Sequence, residues 1–127
     1  MGDTSLLVAI LDDETSVRIA LDRLFRSAGF KTDSFATASA FLESPILKHA
    51  DCLILDLHLP GQTGMDVLKQ VVEKKLPFPI VMITGHDVPG MRERALASGA
   101  DEYLLKPLDD DVLISAVITS IQRKQSM

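Results

Sequence analysis

Three acids, a hydroxyl and an amine stand just past apolar runs of this sequence. Asp12 and Asp13 follow "LLVAIL", Asp56 follows "CLIL", Thr84 follows "PIVMI" and Lys106 follows "YLL". Carboxylates in contact repel one another, so a group of them gathered in one place either takes up protons or holds a cation. Magnesium suits such a group, since it accepts an all-oxygen site with few protein ligands and completes its octahedron with waters and a phosphate oxygen. Lys106 can offer phosphate a point charge and Thr84 a hydroxyl hydrogen bond. These are the parts of a phosphoryl-transfer site, in which the protein positions groups and neutralises charge. No separate general base stands out, so a carboxylate is itself the candidate nucleophile and an aspartyl phosphate the product. Asp56 fits that role because it stands alone after its run, whereas Asp12 and Asp13 come as a pair. Each residue taken singly is also an ordinary strand-end or capping residue. It is the set that points to chemistry.

For these residues to meet, their runs must be strands that end on one rim. Leu6 to Leu11, Cys52 to Leu55, Pro79 to Ile83 and Tyr103 to Leu105 are continuous apolar runs, the pattern of strands covered on both faces. Lys31 to Phe35 is more polar and suits an edge strand. Helical patterns lie between them. Val17, Ala20, Leu21, Leu24, Phe25 and Ala28 recur at helical spacing and Gly29 stops the helix. "ATASAFLES" makes a short second helix, and Thr63 with Asp66 opens a third that carries Met65, Leu68 and Val72 inward. A fourth starts near Pro89 and stops at Gly99, and a last one after Asp109 aligns Leu113, Ala116, Val117 and Ile121. Strands alternating with helices predict an α/β domain with a parallel sheet, whose right-handed crossovers put all strand C-terminal ends on the ligand-binding rim.

The chain has 127 residues, 46% of them hydrophobic, enough for one core and one domain. It lacks an apolar stretch of membrane-spanning length and the order of a signal peptide, which predicts a cytoplasmic protein with no membrane partner. The single cysteine, Cys52, lies inside an apolar run and reads as core filling. A formal charge of -5, with only the short basic stretch "QRKQ", gives no broad footprint for nucleic acid, so DNA binding would need another domain.

"ILDDE", "LILDLHLPGQTG", "MITGH" and "GADEYLLKP", in this order, resemble the receiver domain of two-component response regulators over roughly Leu6 to Gln122, and "ITGHDVP" resembles the FixJ branch. The resemblance implies a single domain over residues 1–127 with its core at about 6–122, and 123–127 as a tail or the start of a linker. It implies a five-stranded parallel sheet in the flavodoxin-like order 2-1-3-4-5 with five helices on both faces. Asp56 becomes the phosphate acceptor, supplied by a sensor histidine kinase or phosphotransfer protein. Asp13, helped by Asp12, with Asp56 and the backbone carbonyl of His58, becomes the site for Mg2+ or Mn2+. Thr84 and Lys106 match the hydroxyl and lysine that contact the phosphoryl group, and the Lys106–Pro107 bond is implied to be cis. Tyr103 matches the aromatic whose rotation accompanies activation. His58, Gly85 and His86 rim the pocket, while a turn glycine and solvent-exposed histidines are the plainer alternatives there; His49 reads as surface.

The implied output is a switch in the face of helix 4, strand 5 and helix 5, which pairs two receivers or controls an output domain or partner, by its branch a transcriptional one. The domain then catalyses only its own phosphorylation and dephosphorylation and is not otherwise an enzyme. Four other readings compete. A flavodoxin-type nucleotide binder needs a hydroxyl-rich loop where "LDDETS" puts carboxylates, and a P-loop enzyme needs a glycine-lysine loop that is missing. A haloacid dehalogenase-type phosphohydrolase places a second acid two residues after its nucleophile, where this chain has His58. A degenerate receiver used only for docking would lack site residues that are present here.

Overall fold

The computed structural model describes residues 5–126. Its elements alternate as expected: β1 (Leu7–Leu11), α1 (Thr15–Ser27), β2 (Lys31–Phe35), α2 (Ala38–Leu42), a 3-10 turn (Pro45–Lys48), β3 (Cys52–Asp56), α3 (Gly64–Glu73), β4 (Ile80–Thr84), α4 (Met91–Ala97), β5 (Glu102–Leu105) and α5 (Asp110–Gln125). All strand pairs are parallel and the order is β2-β1-β3-β4-β5. Every residue of β3 and β4 is buried, which is why both read as unbroken apolar runs, while β2 at the edge is mostly exposed or half-buried.

Alternate strand residues face two separate cores. Val8, Ile10, Cys52, Ile54, Val81 and Ile83 meet Leu21 and Phe25 of α1 and Leu113, Val117 and Ile121 of α5. Ala9, Leu11, Leu53, Leu55, Ile80 and Met82 face α2, α3 and α4 through Phe41, Val67, Leu68, Val71 and Ala95.

Three helices end alike. After α1, Gly29 N–H donates to Arg26 O and Phe30 N–H to Phe25 O, the Schellman pattern, with the Phe25 and Phe30 rings 5.3 Å apart edge to face. Gly99 and Ala100 repeat it after α4, and Lys75 and Leu76 after α3. The left-handed position after α3 is filled by Lys75 at φ 54°, not by the glycine that would have announced it.

Two paired contacts hold the opposite end of the sheet. Asp51 N–H donates to Leu7 O while Asp51 Oδ2 accepts the Leu7 amide at 2.8 Å; Asp101 does the same to both main-chain groups of Ile80.

Some expectations shift. Asp56 and Thr84 are the last residues of their strands, where they had been read as just beyond them. The capping box of Thr63 and Asp66 is present, but α3 buries Gly64, Val67, Leu68 and Val71, and Val72 is 48% exposed. The inward stripe is therefore turned by one residue, because Gly64 itself packs on the end of β3. Ala20 and Ala28 stay exposed on α1. The fourth helix starts at Met91, since Gly90 at φ 84° occupies its N-cap. Residues 123–125, expected in a tail, continue α5, where Arg123 and Lys124 suit the negative end of the helix; Met127 lies outside the described residues.

Candidate functional site

Each strand delivers its last residues to the same rim, and burial makes their chemistry costly to leave unbalanced. Asp12 and Thr84 are fully buried and Asp56 is 3% exposed, while Asp13 is exposed. Carboxylate oxygens of Asp12, Asp13 and Asp56 lie within 4.8 Å of one another. The Lys106 ammonium reaches in from the end of β5, 3.0 Å from Asp12 Oδ2, 3.4 Å from Glu14 Oε1 and 3.7 Å from Asp56 Oδ2. The Lys106–Pro107 bond is cis, as the resemblance implied. Asp13, Glu14, Asp56, His58, Gly85, His86 and Lys106 line an open pocket of about 380 Å³.

The electrostatics follow from this crowding. Burial pushes the Asp56 carboxyl above its ordinary value; the hydrogen bond from the His58 amide opposes the rise, the Asp12 charge adds to it and Lys106 subtracts. Burial alone would lower the Lys106 ammonium, but the hydrogen bond and charge of Asp12, with the charges of Asp56 and Glu14, more than reverse this and raise it. The lysine is thus firmly protonated and shared among three carboxylates. Asp12, Asp13, Glu14 and Asp56 around one ammonium leave an excess of negative charge, and the oxygen-only donor set of Asp12, Asp13 and Asp56 fits a hard divalent cation.

The remaining rim residues are held by short-range contacts. Asp56 Oδ1 accepts the His58 amide at 3.2 Å, and Thr84 Oγ1 accepts the His86 amide at 3.0 Å. His58 Nε2 lies 3.2 Å from the His86 carbonyl oxygen, and the two rings meet edge to face at 5.8 Å, so the histidines join the β3–α3 and β4–α4 loops across the pocket mouth. Gly85 stands beside the Lys106 stem, which a Cβ there would approach to 3.6 Å without a clash, so nothing in the packing demands glycine. Tyr103 is buried, its hydroxyl donating to Asp87 at 2.8 Å, and Arg92 donates to its carbonyl. His49 is exposed and away from these contacts.

Three participants were not singled out from sequence. Glu14 was read only as part of "ILDDE", yet it shares Lys106. Asp87 anchors the Tyr103 hydroxyl. Gly64 sits so close to the end of β3 that a Cβ would stand 2.4 Å from Asp56 O and 2.7 Å from Leu57 Cα. Its place at a helix start after a Pro-Gly break was the available signal, though nothing in it distinguishes close approach from a plain turn.

A doubly wound parallel sheet with an acidic, lysine-bearing pocket on its C-terminal rim has the parts of a phosphoryl-transfer site. Residues 8–118 match the model of the response regulator receiver domain, and the chain belongs to that family. It is 37% identical over 123 residues to Nodulation protein W of Bradyrhizobium diazoefficiens, covering 96% of this chain and 54% of that protein. It is 34% identical to the transcriptional regulatory protein FixJ of the same organism, over 93% of this chain and 58% of the relative. Among solved structures it is similar to the response regulator StyR, with a TM-score of 0.88 at 36% identity over 97% of this chain and 62% of the other. The chain spans about half the length of the curated relatives it matches. No helix among the described residues is long and apolar enough to cross a membrane.

Proposed function

We propose that this chain accepts a phosphoryl group on Asp56 from a sensor histidine kinase or phosphotransfer protein and relays the change to an output. The observation that carries this reading is the convergence of the Asp12, Asp13 and Asp56 carboxylates within 4.8 Å, with the Lys106 ammonium 3.7 Å from Asp56 Oδ2. Asp12, Asp13, Asp56 and the His58 carbonyl would hold Mg2+ or Mn2+. Bound there, the cation supplies positive charge to phosphate oxygens.

The chain's own groups do the rest. An Asp56 oxygen attacks phosphorus as the donor's P–N bond breaks and its electron pair returns to the imidazole nitrogen. Burial, which raises the basicity of Asp56, also makes it a better nucleophile than an exposed carboxylate. Lys106 neutralises charge arriving on the phosphoryl oxygens. Thr84 accepts the His86 amide and so keeps its own hydroxyl hydrogen to donate to such an oxygen. Movement of Thr84 would drag the β4–α4 loop, which also carries Asp87, and thereby loosen or reset Tyr103. His58, Gly85 and His86 set access to the pocket.

The readout is the face of α4, β5 and α5, with a homodimer or a partner as its target. DNA enters only through a further domain, as the transcriptional relatives suggest. The domain core spans about residues 6–122, works in the cytoplasm, and turns over no substrate beyond its own phosphoryl group. Incubation with magnesium and acetyl phosphate, followed by intact mass, tests this. One phosphoryl group is expected on the wild type, none on Asp56→Asn, and none with a chelator. Equal addition to the Asp56→Asn variant would sink the assignment.

A further inference from the structure

Asp12 has every polar group of its residue occupied. Its amide donates to Phe35 O at 3.1 Å, Oδ1 accepts the Glu14 amide at 2.8 Å, Oδ2 accepts Lys106 at 3.0 Å, and its carbonyl accepts Arg18 Nη1 at 2.7 Å. The same guanidinium reaches Thr15 Oγ1 at 3.1 Å through Nη2. Arg18 also closes the first turn of α1 through its amide, which donates to Glu14 O at 3.1 Å. One residue therefore grips the β1–α1 loop at Asp12, Glu14 and Thr15.

The loop needs such a grip. The N-cap residue of α1, Glu14, makes no side-chain capping bond, because its carboxylate is turned to Lys106 instead. Asp13 stands between the gripped residues, exposed, and its carboxylate takes no hydrogen bond among the described residues. With no hydrogen bond to hold it, that carboxylate depends on the backbone of this loop for its place. Yet it lies within 4.8 Å of the buried carboxylates of Asp12 and Asp56.

We propose that Arg18 is a positioning residue for cation binding: its forked guanidinium holds the β1–α1 loop so that Asp13 faces Asp12 and Asp56. This deepens the reading of the pocket as a divalent-cation site and rests on it. The planar fork matters, because a lysine at position 18 would keep the charge but present one ammonium to two separated acceptors. Charge and positioning predict opposite signs. A cation near an empty carboxylate cluster lowers its affinity for a second cation, so if Arg18 acted by charge alone, Arg18→Ala would bind magnesium more tightly. If it acts by position, removal weakens binding.

The test is a magnesium titration of 15N-labelled protein, following backbone amide shifts in the pocket, for wild type, Arg18→Ala and Arg18→Lys. Both variants are expected to bind at least about tenfold more weakly, the scale for losing a contact behind a metal ligand. In parallel, the magnesium concentration that half-saturates phosphoryl uptake from acetyl phosphate should rise while the rate at saturating magnesium is retained, a split that general loss of structure would not produce. Far-UV circular dichroism checks the fold; if the alanine variant fails it, the lysine variant carries the test. Unchanged or tighter binding by Arg18→Ala, or full rescue by lysine, would overturn the proposal while leaving the cation site intact. A wild type that binds no magnesium would overturn the reading of the pocket and this inference with it.

Discussion

Asparagine in place of Asp56 keeps the side chain's shape, and its carbonyl can still accept the His58 amide, but it removes a charge from a position 3% exposed. Lys106 lies 3.7 Å from Asp56 Oδ2, and Asp12 and Asp13 place carboxylate oxygens within 4.8 Å. At an effective dielectric near 20, the Lys106 attraction is about 4–5 kcal/mol and the Asp12 repulsion about 3.5 kcal/mol or more, so the two largely cancel. Asp13, exposed, adds a smaller screened repulsion. What remains is the desolvation of the carboxylate, the first cause of its raised pKa. Lys106 is not orphaned by the change, because Asp12 at 3.0 Å and Glu14 at 3.4 Å still hold it. Asp56→Asn should therefore stabilise the metal-free protein by roughly 1–3 kcal/mol at neutral pH. A carboxyl whose folded pKa is raised weakens the fold at pH above that raised value and costs nothing below its unfolded one. The gain should then fade as pH falls toward the ordinary value of 3.8. Urea denaturation with a chelator, at neutral pH and near that ordinary value, measures the gap; added magnesium should narrow it by stabilising the wild type. A variant less stable than wild type at neutral pH, or a gap that does not shrink with acid, would refute the reasoning.

Other outcomes can be checked on the same protein. Tyr103, the single tyrosine, should titrate near 12, raised first by burial and then by its hydrogen bond to Asp87 and nearby acidic charge. Its neutral form then contributes stability that is fully present below the ordinary value of 10.0 and lost as pH rises through about 12. Ultraviolet absorbance against pH, with circular dichroism alongside, should show a lower pKa in Asp87→Asn, and a wild-type phenol titrating at its ordinary value would contradict the placement. Gly64→Ala should cost roughly 1–3 kcal/mol in urea midpoint and slow phosphoryl uptake, since its methyl meets main-chain atoms at the end of β3; an unchanged midpoint counts against the close approach. Cys52, fully buried with its thiol pushed far up by burial, should react with thiol reagents only as fast as the protein opens. Rapid labelling in native buffer would place it elsewhere.

The strands were legible because burial on both faces leaves no polar residue to break a run, and the pocket was legible because the runs end in acids, a hydroxyl and a lysine. Contacts between distant parts of the chain were not. Glu14 beside Asp13 looks like one more acid until Lys106, far along the chain, turns toward it. Arg18 looks like an exposed helix residue until its guanidinium folds back on Asp12. The α3 stripe was read one residue out because Val72 is as apolar as Val71, and only the seating of Gly64 against β3 decides which of them turns inward. The left-handed turn that ends α3 carries no glycine to mark it, because Lys75 occupies a backbone conformation that sequence reasoning reserves for glycine.

Asp51 and Asp101 lie at the end of the sheet farthest from the pocket, yet they guard its alignment. Each satisfies both main-chain groups of one residue on the neighbouring strand, Leu7 or Ile80, and can do so in only one pairing of the two strands. A slip by one residue would forfeit both bonds, and because side chains alternate it would also turn the slipped strand inside out. At the rim the same slip moves a strand end by about 3.3 Å, a distance as long as the bond between Lys106 and Asp12. That shift alone would part the lysine from the carboxylates, so the geometry of the pocket is decided at the end of the strands where no chemistry occurs.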